Sequence, residues 1–392
     1  MLSRSPGLCY AWPVIYLDAN ATTPTAPAVV AAMLPWLHEH YANPSASYTS
    51  GRRARRAIET ARAQVAALIH AETAEIVFTS GGTESINSIH AFARNEWPQR
   101  PHLVISTTEH SAVIECAALW QQQGGIVTQV PVDTNGLLNL DALRTAIIPG
   151  QTALVSLLWA NNETGVIAPM RQAIEIAHAA GALVHADAVQ AAGKIPLDVN
   201  EVPADYLSLS GHKMHAPKGI GALYISRHAP YRPWMLGGGQ EGGRRSGTEN
   251  VPGIIAFGKA AELAQDHLAT VGTDTLAALR DSFEQHLLTA LPEATIHSRN
   301  APRLPNTTSI CLPGVDAAGM LILLDQRGIA CSAGSACHSA ALHPSHVLEA
   351  MGFDARHAAS TLRFTLSRMS TEAEVMHAAQ ETLQALHRLQ EI

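Results

Sequence analysis

Only four residues of this 392-residue chain carry an ε-amine: Lys194, Lys213, Lys218 and Lys259. Lysine becomes a Schiff-base former when burial lowers its pKa and frees the amine. Lys213 has the best setting for that chemistry. It lies in Ser208-Leu209-Ser210-Gly211-His212-Lys213-Met214, just past an expected strand and among small and hydroxyl residues. Lys218 in the same segment is its rival, whereas Lys194 and Lys259 lack neighbours suited to a phosphate.

Two further segments carry complementary chemistry. His185-Ala186-Asp187-Ala188-Val189-Gln190 closes an apolar run, where an aspartate can keep a ring nitrogen protonated and make the ring an electron sink. The same Asp187 would also serve as an ordinary helix cap. Thr79-Ser80-Gly81-Gly82-Thr83-Glu84-Ser85 is a Gly-rich turn between a strand and a helix pattern. Such a turn presents backbone N–H groups and the positive end of a helix to an anion, with Thr83 and Ser85 as hydroxyl donors. It lacks the lysine of a nucleotide-binding P-loop and the G-x-G-x-x-G spacing of dinucleotide folds, so a small phosphate ester fits it better.

The elements that must position these residues follow from periodicity. Short apolar runs alternate with helical patterns from about residue 52 to 265. Strands are expected at Glu75–Ser80, His102–Thr107, Ala153–Trp159, Ala182–Ala188, Asp205–Ser210 and Gly221–Ser226. Between them Arg53–Ile69 puts Ala57, Ile58, Ala61, Val65 and Leu68 on one helical face. That alternation predicts an α/β fold with a mostly parallel sheet covered on both sides. One long helical pattern, Ile255 to Leu291, follows, and then strands at Thr308–Leu312 and Thr361–Leu366 mixed with helices in an α+β pattern. Two domains are expected, a large one over residues 18–268 and a small one over 269–392 together with 1–17.

The quoted segments, with FTSGGTES, WANNETG, YLDANATTP (Tyr16–Pro24), TTEHSAV, GGGQEGGRRSGTENV, GSACHSA-x-x-HPSHVL and STLRFTLSR, resemble the class V aminotransferase family. More narrowly they are similar to its cysteine desulfurases of the nitrogen-fixation and iron–sulfur type, from about Ile15 to the C-terminus. The resemblance implies a fold-type I pyridoxal-phosphate enzyme that converts L-cysteine to L-alanine. Sulfur passes to an enzyme cysteine as persulfide and then to an iron–sulfur scaffold or another acceptor protein. It assigns pyridoxal 5'-phosphate to Lys213, the ring nitrogen to Asp187, ring stacking and proton movement to His110, and ring substituents to Asn162 and Gln190. Gly82, Thr83, Ser210 and His212 would hold the phosphate, with Thr248 completing that site from the other subunit of a homodimer. Arg363 would grip the substrate carboxylate bidentately, assisted by Asn43 of YANPSAS. Cys337 is the implied sulfur acceptor, in a run of small residues expected to be mobile.

The chain departs from the family pattern beside that acceptor. It reads CSAGSACHS where S-S-G-S-A-C-T-S is usual, and His343-Pro344-Ser345 where Glu-Pro-Ser is usual. His338 would lower the Cys337 pKa if protonated, or be a tolerated loop residue. Cys331, Cys337, His338, His343 and His346 also admit a zinc-binding or sulfur-storage module, although their spacing matches no common zinc pattern. A selenocysteine lyase or an aminotransferase would keep the cofactor and change the chemistry. SGHKMHAPKG and RRSGTENVPG look closer to the nitrogen-fixation branch than to the housekeeping one.

Composition narrows the classes. Charged residues make up 15% of the chain and the formal net charge is −7, which disfavours nucleic acid as a partner. Arg52, Arg53, Arg55 and Arg56 form the one basic run, read as a solvated helix face. Five cysteines without scaffold spacing are expected to be reduced thiols in a cytoplasm. No stretch has the length and apolarity of a membrane span, and residues 1–14 lack a signal-peptide core.

Overall fold

The computed structural model describes residues 14–333 and 345–390. Cys9, Cys337, His338 and His343 fall outside the described residues. Strands, numbered along the chain, are β1 (Ile15–Tyr16), β2 (Ile76–Thr79), β3 (His102–Ser106), β4 (Ile126–Val130), β5 (Thr152–Leu158), β6 (Leu183–Asp187) and β7 (Tyr206–Ser210). They continue as β8 (Gly221–Ile225), β9 (Thr295–Ile296), β10 (Thr307–Cys311), β11 (Ile329–Ala330), β12 (Ser332–Ala333) and β13 (Thr361–Thr365).

Every residue of β2, β3, β5, β7 and β8 is buried, which is why these strands read as continuous apolar runs. They belong to a seven-stranded sheet in the order β2-β8-β7-β6-β5-β3-β4. From β7 to β4 all neighbours are parallel, while β8 is antiparallel to both β2 and β7. The helices Thr49–Leu68, Met170–Ala179 and Val251–Thr270 cover one face, burying Ile58, Ile174 and Phe257 in one cluster. The helices Gly82–Glu96 and Ser111–Gln122 cover the other, with Ile86, Ile89 and Val113. The α/β architecture with a mostly parallel sheet is thus the one the alternation predicts. β4 escaped that reading because Thr128 and Gln129 interrupt its apolar pattern at the sheet edge.

The expected single helix Ile255–Leu291 is instead two helices, Val251–Thr270 and Asp274–Ala290. Gly272 breaks the run with φ 73°, a conformation glycine adopts without penalty. Beyond the break, β12-β13-β10-β9 form a second, antiparallel sheet. Its apolar cluster joins Phe283, Leu287, Ile310, Met320 and Phe364 to Leu17. β1 pairs in parallel with β11, so the start of the described chain lies against its C-terminal part. This brings Asp18 and Asn20 to the seam between the two sheets, where Asp18 bridges Thr365 and Asn20 N–H donates to Thr365 Oγ1 at 3.0 Å.

One long-range ion pair fixes the loop that carries the GGGQEGGRRSGT motif. Arg62 meets Glu241 through Nη1 at 2.6 Å and Nη2 at 2.9 Å, both side chains buried. Glu241 also accepts from Phe78 N–H of β2 at 2.9 Å, which satisfies the remaining capacity of the carboxylate. Arg245 of the same loop pairs with Glu84 at 2.8 Å, one turn into the helix after β2.

Candidate active site

The residues singled out in sequence come together at the carboxyl ends of the parallel strands. Gly82, Thr83, His110, Asn162, Asp187, Gln190, Ser210, His212, Lys213 and Arg363 all line one cavity of about 310 Å³. Gly82 and Thr83 open the helix Gly82–Glu96 directly after β2. Asp187 ends β6, Ser210 ends β7, and Lys213 closes the short helical turn Gly211–Lys213. Arg363 comes from the other sheet, at the centre of β13.

Two named residues stand apart. Asn43 is exposed, with its Oδ1 accepting from Ser45 N–H at 2.8 Å, and it does not line the cavity. Thr248 is exposed in the loop tied down by Glu241 and Arg245, and it also lies off this chain's own cavity. Ser85, expected as a donor to an anion, is buried and turned inward. Its Oγ meets Thr79 Oγ1 at 2.9 Å and donates to the Ala222 carbonyl at 3.2 Å.

Desolvation governs the titratable groups. Asp187 is buried, and its carboxyl pKa is pushed up to about 6, chiefly by burial. Its Oδ1 accepts from Val189 N–H at 3.0 Å, leaving Oδ2 without a protein partner among the described residues. Burial, with Lys213 close by, lowers His110 to about 4, so the imidazole is neutral at physiological pH. His110 Nδ1 accepts from Ala112 N–H at 3.1 Å, which places the ring proton on Nε2. His212 is likewise lowered to about 4 by burial and by Lys213.

The two basic groups are held by backbone carbonyls. Lys213 Nζ donates to the Asn20 and Ala21 carbonyls at 2.6 and 2.8 Å. Arg363 Nη1 donates to the Asn162 carbonyl at 2.9 Å, and Nη2 pairs with Asp18 Oδ1 at 2.8 Å. Its Nε is buried with no hydrogen-bond partner among the described residues.

Sequence reasoning missed Asn20, Asp18 and Glu109, although all three lie inside quoted motifs. Asn20 lines the cavity and Asp18 pairs with Arg363, but a pattern gives no clue to which of its members face a site. Glu109 is buried: desolvation, with Asp187 nearby, raises its pKa well above the usual carboxyl range. Its Oε1 accepts from Leu158 N–H at 3.0 Å, and its Oε2 has no hydrogen-bond partner among the described residues.

Comparison with known proteins gives the family of the chain. Residues 15–377 match the family described as aminotransferase class-V. The chain belongs to that family. Within it, a cysteine desulfurase 2 of Trichormus variabilis is 49% identical over 92% of this chain and 90% of its own length. A cysteine desulfurase of Gluconacetobacter diazotrophicus is 48% identical with the same coverages, 92% and 90%. Among solved structures, a NifS-like protein superposes with a TM-score of 0.88 at 36% identity, covering 96% of this chain and all of its own. In this member of the class-V family, the end of β6 that carries Asp187 and the turn that carries Lys213 therefore sit on a fold shared with that structure.

Proposed function

We propose that this chain is a cysteine desulfurase that carries pyridoxal 5'-phosphate on Lys213 and passes the sulfur of L-cysteine to Cys337. The observation that carries the reading is the convergence of an amine, a buried carboxyl, a neutral imidazole and a guanidinium on one cavity from four separate segments of the chain. Relatives bearing the name cysteine desulfurase, nearly half identical over nine-tenths of the chain, support it.

The cavity fits the cofactor on its own terms. A Cβ on Gly82 would come within 2.7 Å of Val189 Cγ2, so only glycine lets the start of this helix pack against Val189 in the cavity wall. Around it the N-terminus of a 15-residue helix, Thr83, Ser210 and His212 make a donor set for phosphate oxygens. The unpartnered Oδ2 of Asp187 suits a protonated ring nitrogen, whose charge would return the raised carboxyl pKa to a lower value. When bound there, pyridoxal 5'-phosphate would supply a carbonyl carbon for amines and a conjugated ring that takes up electrons from the substrate α-carbon.

The protein's own groups then divide the work. Arg363, fixed by Asn162 and Asp18, binds the substrate carboxylate. Lys213 Nζ moves a proton at the α-carbon and returns to the Asn20 and Ala21 carbonyls when free. His110 offers a single N–H, at Nε2, toward the cavity contents. At Cys337 Sγ an S–S bond forms to the substrate sulfur while the substrate Cβ–S bond breaks. The electron pair stays on Cβ, which gains a proton and becomes the methyl group of alanine.

Both described ends of the acceptor segment are anchored at the cavity. β12 pairs with β13, Ser332 opposite Arg363. Ser345 Oγ donates to Glu163 Oε2 at 2.5 Å, and His346 Nε2 meets the Glu109 carbonyl at 3.0 Å. Cys337 is four residues past Ala333, a tether of at most about 14 Å. Persulfide would leave Cys337 for an iron–sulfur scaffold or another acceptor protein. We further infer a homodimer with Thr248 serving the partner's cavity, and a small domain of residues 269–392 with 1–17 beside a large one of 18–268. Among the described residues no helix is long and apolar enough to cross a membrane.

The test is direct. Protein loaded with pyridoxal 5'-phosphate is given L-cysteine and a thiol reductant, and alanine and sulfide are counted together. Equal yields that vanish in Cys337→Ala are expected. Keto acid in place of alanine would move the assignment to transamination.

A further inference from the structure

Lys194 has no part in the reaction as proposed, yet it controls the dock of the lysine that does. It follows Gln190 by four residues in the turns after β6, and the two side chains meet. Lys194 Nζ donates to Gln190 Oε1 at 2.6 Å and to Asn20 Oδ1 at 2.9 Å. Burial, with Lys213 and Arg363 nearby, holds its pKa well below the usual lysine range, but even the neutral amine keeps the two N–H donors these contacts need.

Both contacts go to amide oxygens, so Lys194 fixes the Gln190 amide and, together with Asn306 Nδ2, which donates to Asn20 Oδ1 at 3.0 Å, the Asn20 amide. Gln190 can then offer only its NH2 to the Asn20 carbonyl, at 2.9 Å. Asn20 turns its own NH2 to the Asn162 carbonyl at 3.1 Å and to Thr307 Oγ1 at 3.0 Å. The Asn20 carbonyl held in this way receives Lys213 Nζ at 2.6 Å, and the Asn162 carbonyl receives Arg363 Nη1 at 2.9 Å. A flipped Gln190 would present two oxygens to each other across the Asn20 contact, which Lys194 forbids.

We infer that Lys194 is a positioning residue: by fixing the amides of Asn20 and Gln190 it sets the dock of Lys213 Nζ and, through Asn162, that of Arg363. It does not line the 310 Å³ cavity. It opens on a separate cavity of about 30 Å³, shared with Lys213, His215 and Arg368, which has room for a small amine. The inference rests on Lys213 being the attachment lysine. Failure of that premise shows separately, as cofactor attachment and turnover surviving in Lys213→Ala.

The test compares Lys194→Ala with Lys194→Met, which keeps the volume and removes the donors. Cofactor-free protein is mixed with pyridoxal 5'-phosphate and covalent capture is followed by its visible absorbance; kcat and KM for L-cysteine are measured on loaded protein. Both variants are expected to capture the cofactor and turn over about tenfold more slowly, the worth of a lost buried hydrogen bond. Added methylamine should restore Lys194→Ala in both readouts, trimethylamine should not, and Lys194→Met should respond to neither. Wild-type rates in either variant would overturn the inference, as would a loss in Lys194→Ala that methylamine leaves unchanged. Should Lys194→Ala not fold, slow capture by Lys194→Met at an unchanged thermal midpoint supports the inference, and wild-type capture overturns it.

Discussion

Cys331 and Cys337 are six positions apart in the sequence, and the surroundings of Cys331 argue against it as the acceptor. Cys331 is pushed up to about 12 by burial first and by Asp18 second, so its thiol stays protonated and is a poor nucleophile at neutral pH. Cys331→Ser is therefore expected to keep sulfide and alanine production within about twofold of wild type. Cys337→Ala should bind cofactor normally and lose sulfur transfer; a Cys331→Ser enzyme as inactive as Cys337→Ala would refute this division. Asp187 gives a prediction with a sign. Its folded pKa of about 6 exceeds the usual 3.8, so without a cationic partner the folded protein is stabilised by protonation at low pH. That stabilisation is complete below the unfolded value and lost as pH rises through about 6. At neutral pH the buried carboxylate then costs about 3 kcal/mol. Asp187→Asn keeps an acceptor for Val189 N–H and should raise the melting midpoint of cofactor-free protein at neutral pH by several degrees, but not near pH 4. Glu109 is coupled to the same charge, so calorimetry would report the pair. An unmoved midpoint at neutral pH would show that the site is hydrated and not desolvated. Lys213 was legible in the sequence because lysine is scarce, Asp187 because it ends an apolar strand, and Arg363 only through the family resemblance. Asn20 and Lys194 were not, because their role lies in which amide oxygen faces which amine, and spacing does not encode that.

At the scale of elements, legibility followed burial. Strands wrapped in helices on both faces read as unbroken apolar runs, and six of them were found within a residue or two at each end. β4 lies at the sheet edge with only Val130 fully buried, so nothing in its composition required an apolar run. The missed break at Gly272 has the opposite cause: the apolar period continues through it, and only the backbone conformation stops the helix. A Cβ at Gly272 would meet nothing within 4 Å, so Gly272→Ala isolates the conformational cost. It should destabilise the protein by about 1 kcal/mol without affecting cofactor affinity. Gly82→Ala makes the contrasting case, since its Cβ would press on Val189 at 2.7 Å at the mouth of the anion cradle. Its expected signature is a weaker cofactor dissociation constant, by about tenfold, with a melting midpoint close to wild type in the cofactor-free state. Titration of cofactor-free protein by visible absorbance separates the two; equal affinity for Gly82→Ala and wild type would remove that turn from the cofactor site.

The whole molecule must explain why a loop far from its own cavity is so firmly held. Buried Arg62 and Glu241, and then Arg245 with Glu84, fix the segment that ends at Thr248, yet Thr248 faces outward. The same loop exposes Trp234 and, at 80%, Leu236, apolar area that a subunit contact would remove from water. If each cavity borrows Thr248 from the neighbouring subunit of a two-fold dimer, two different defects can complement each other. A chain with Lys213→Ala has no attachment lysine but an intact Thr248. A chain with Thr248→Val, chosen to be strongly impaired by itself, has the reverse. In a mixed dimer one cavity pairs the intact Lys213 of one chain with the intact Thr248 of the other, while the second cavity has both defects. Random exchange of equal amounts makes half the dimers mixed, so about a quarter of all cavities should regain wild-type activity. If Thr248 served its own chain's cavity, every cavity in a mixed dimer would still carry one defect. Activity would then stay at the average of the two parents, which is the outcome that would return Thr248 to its own subunit.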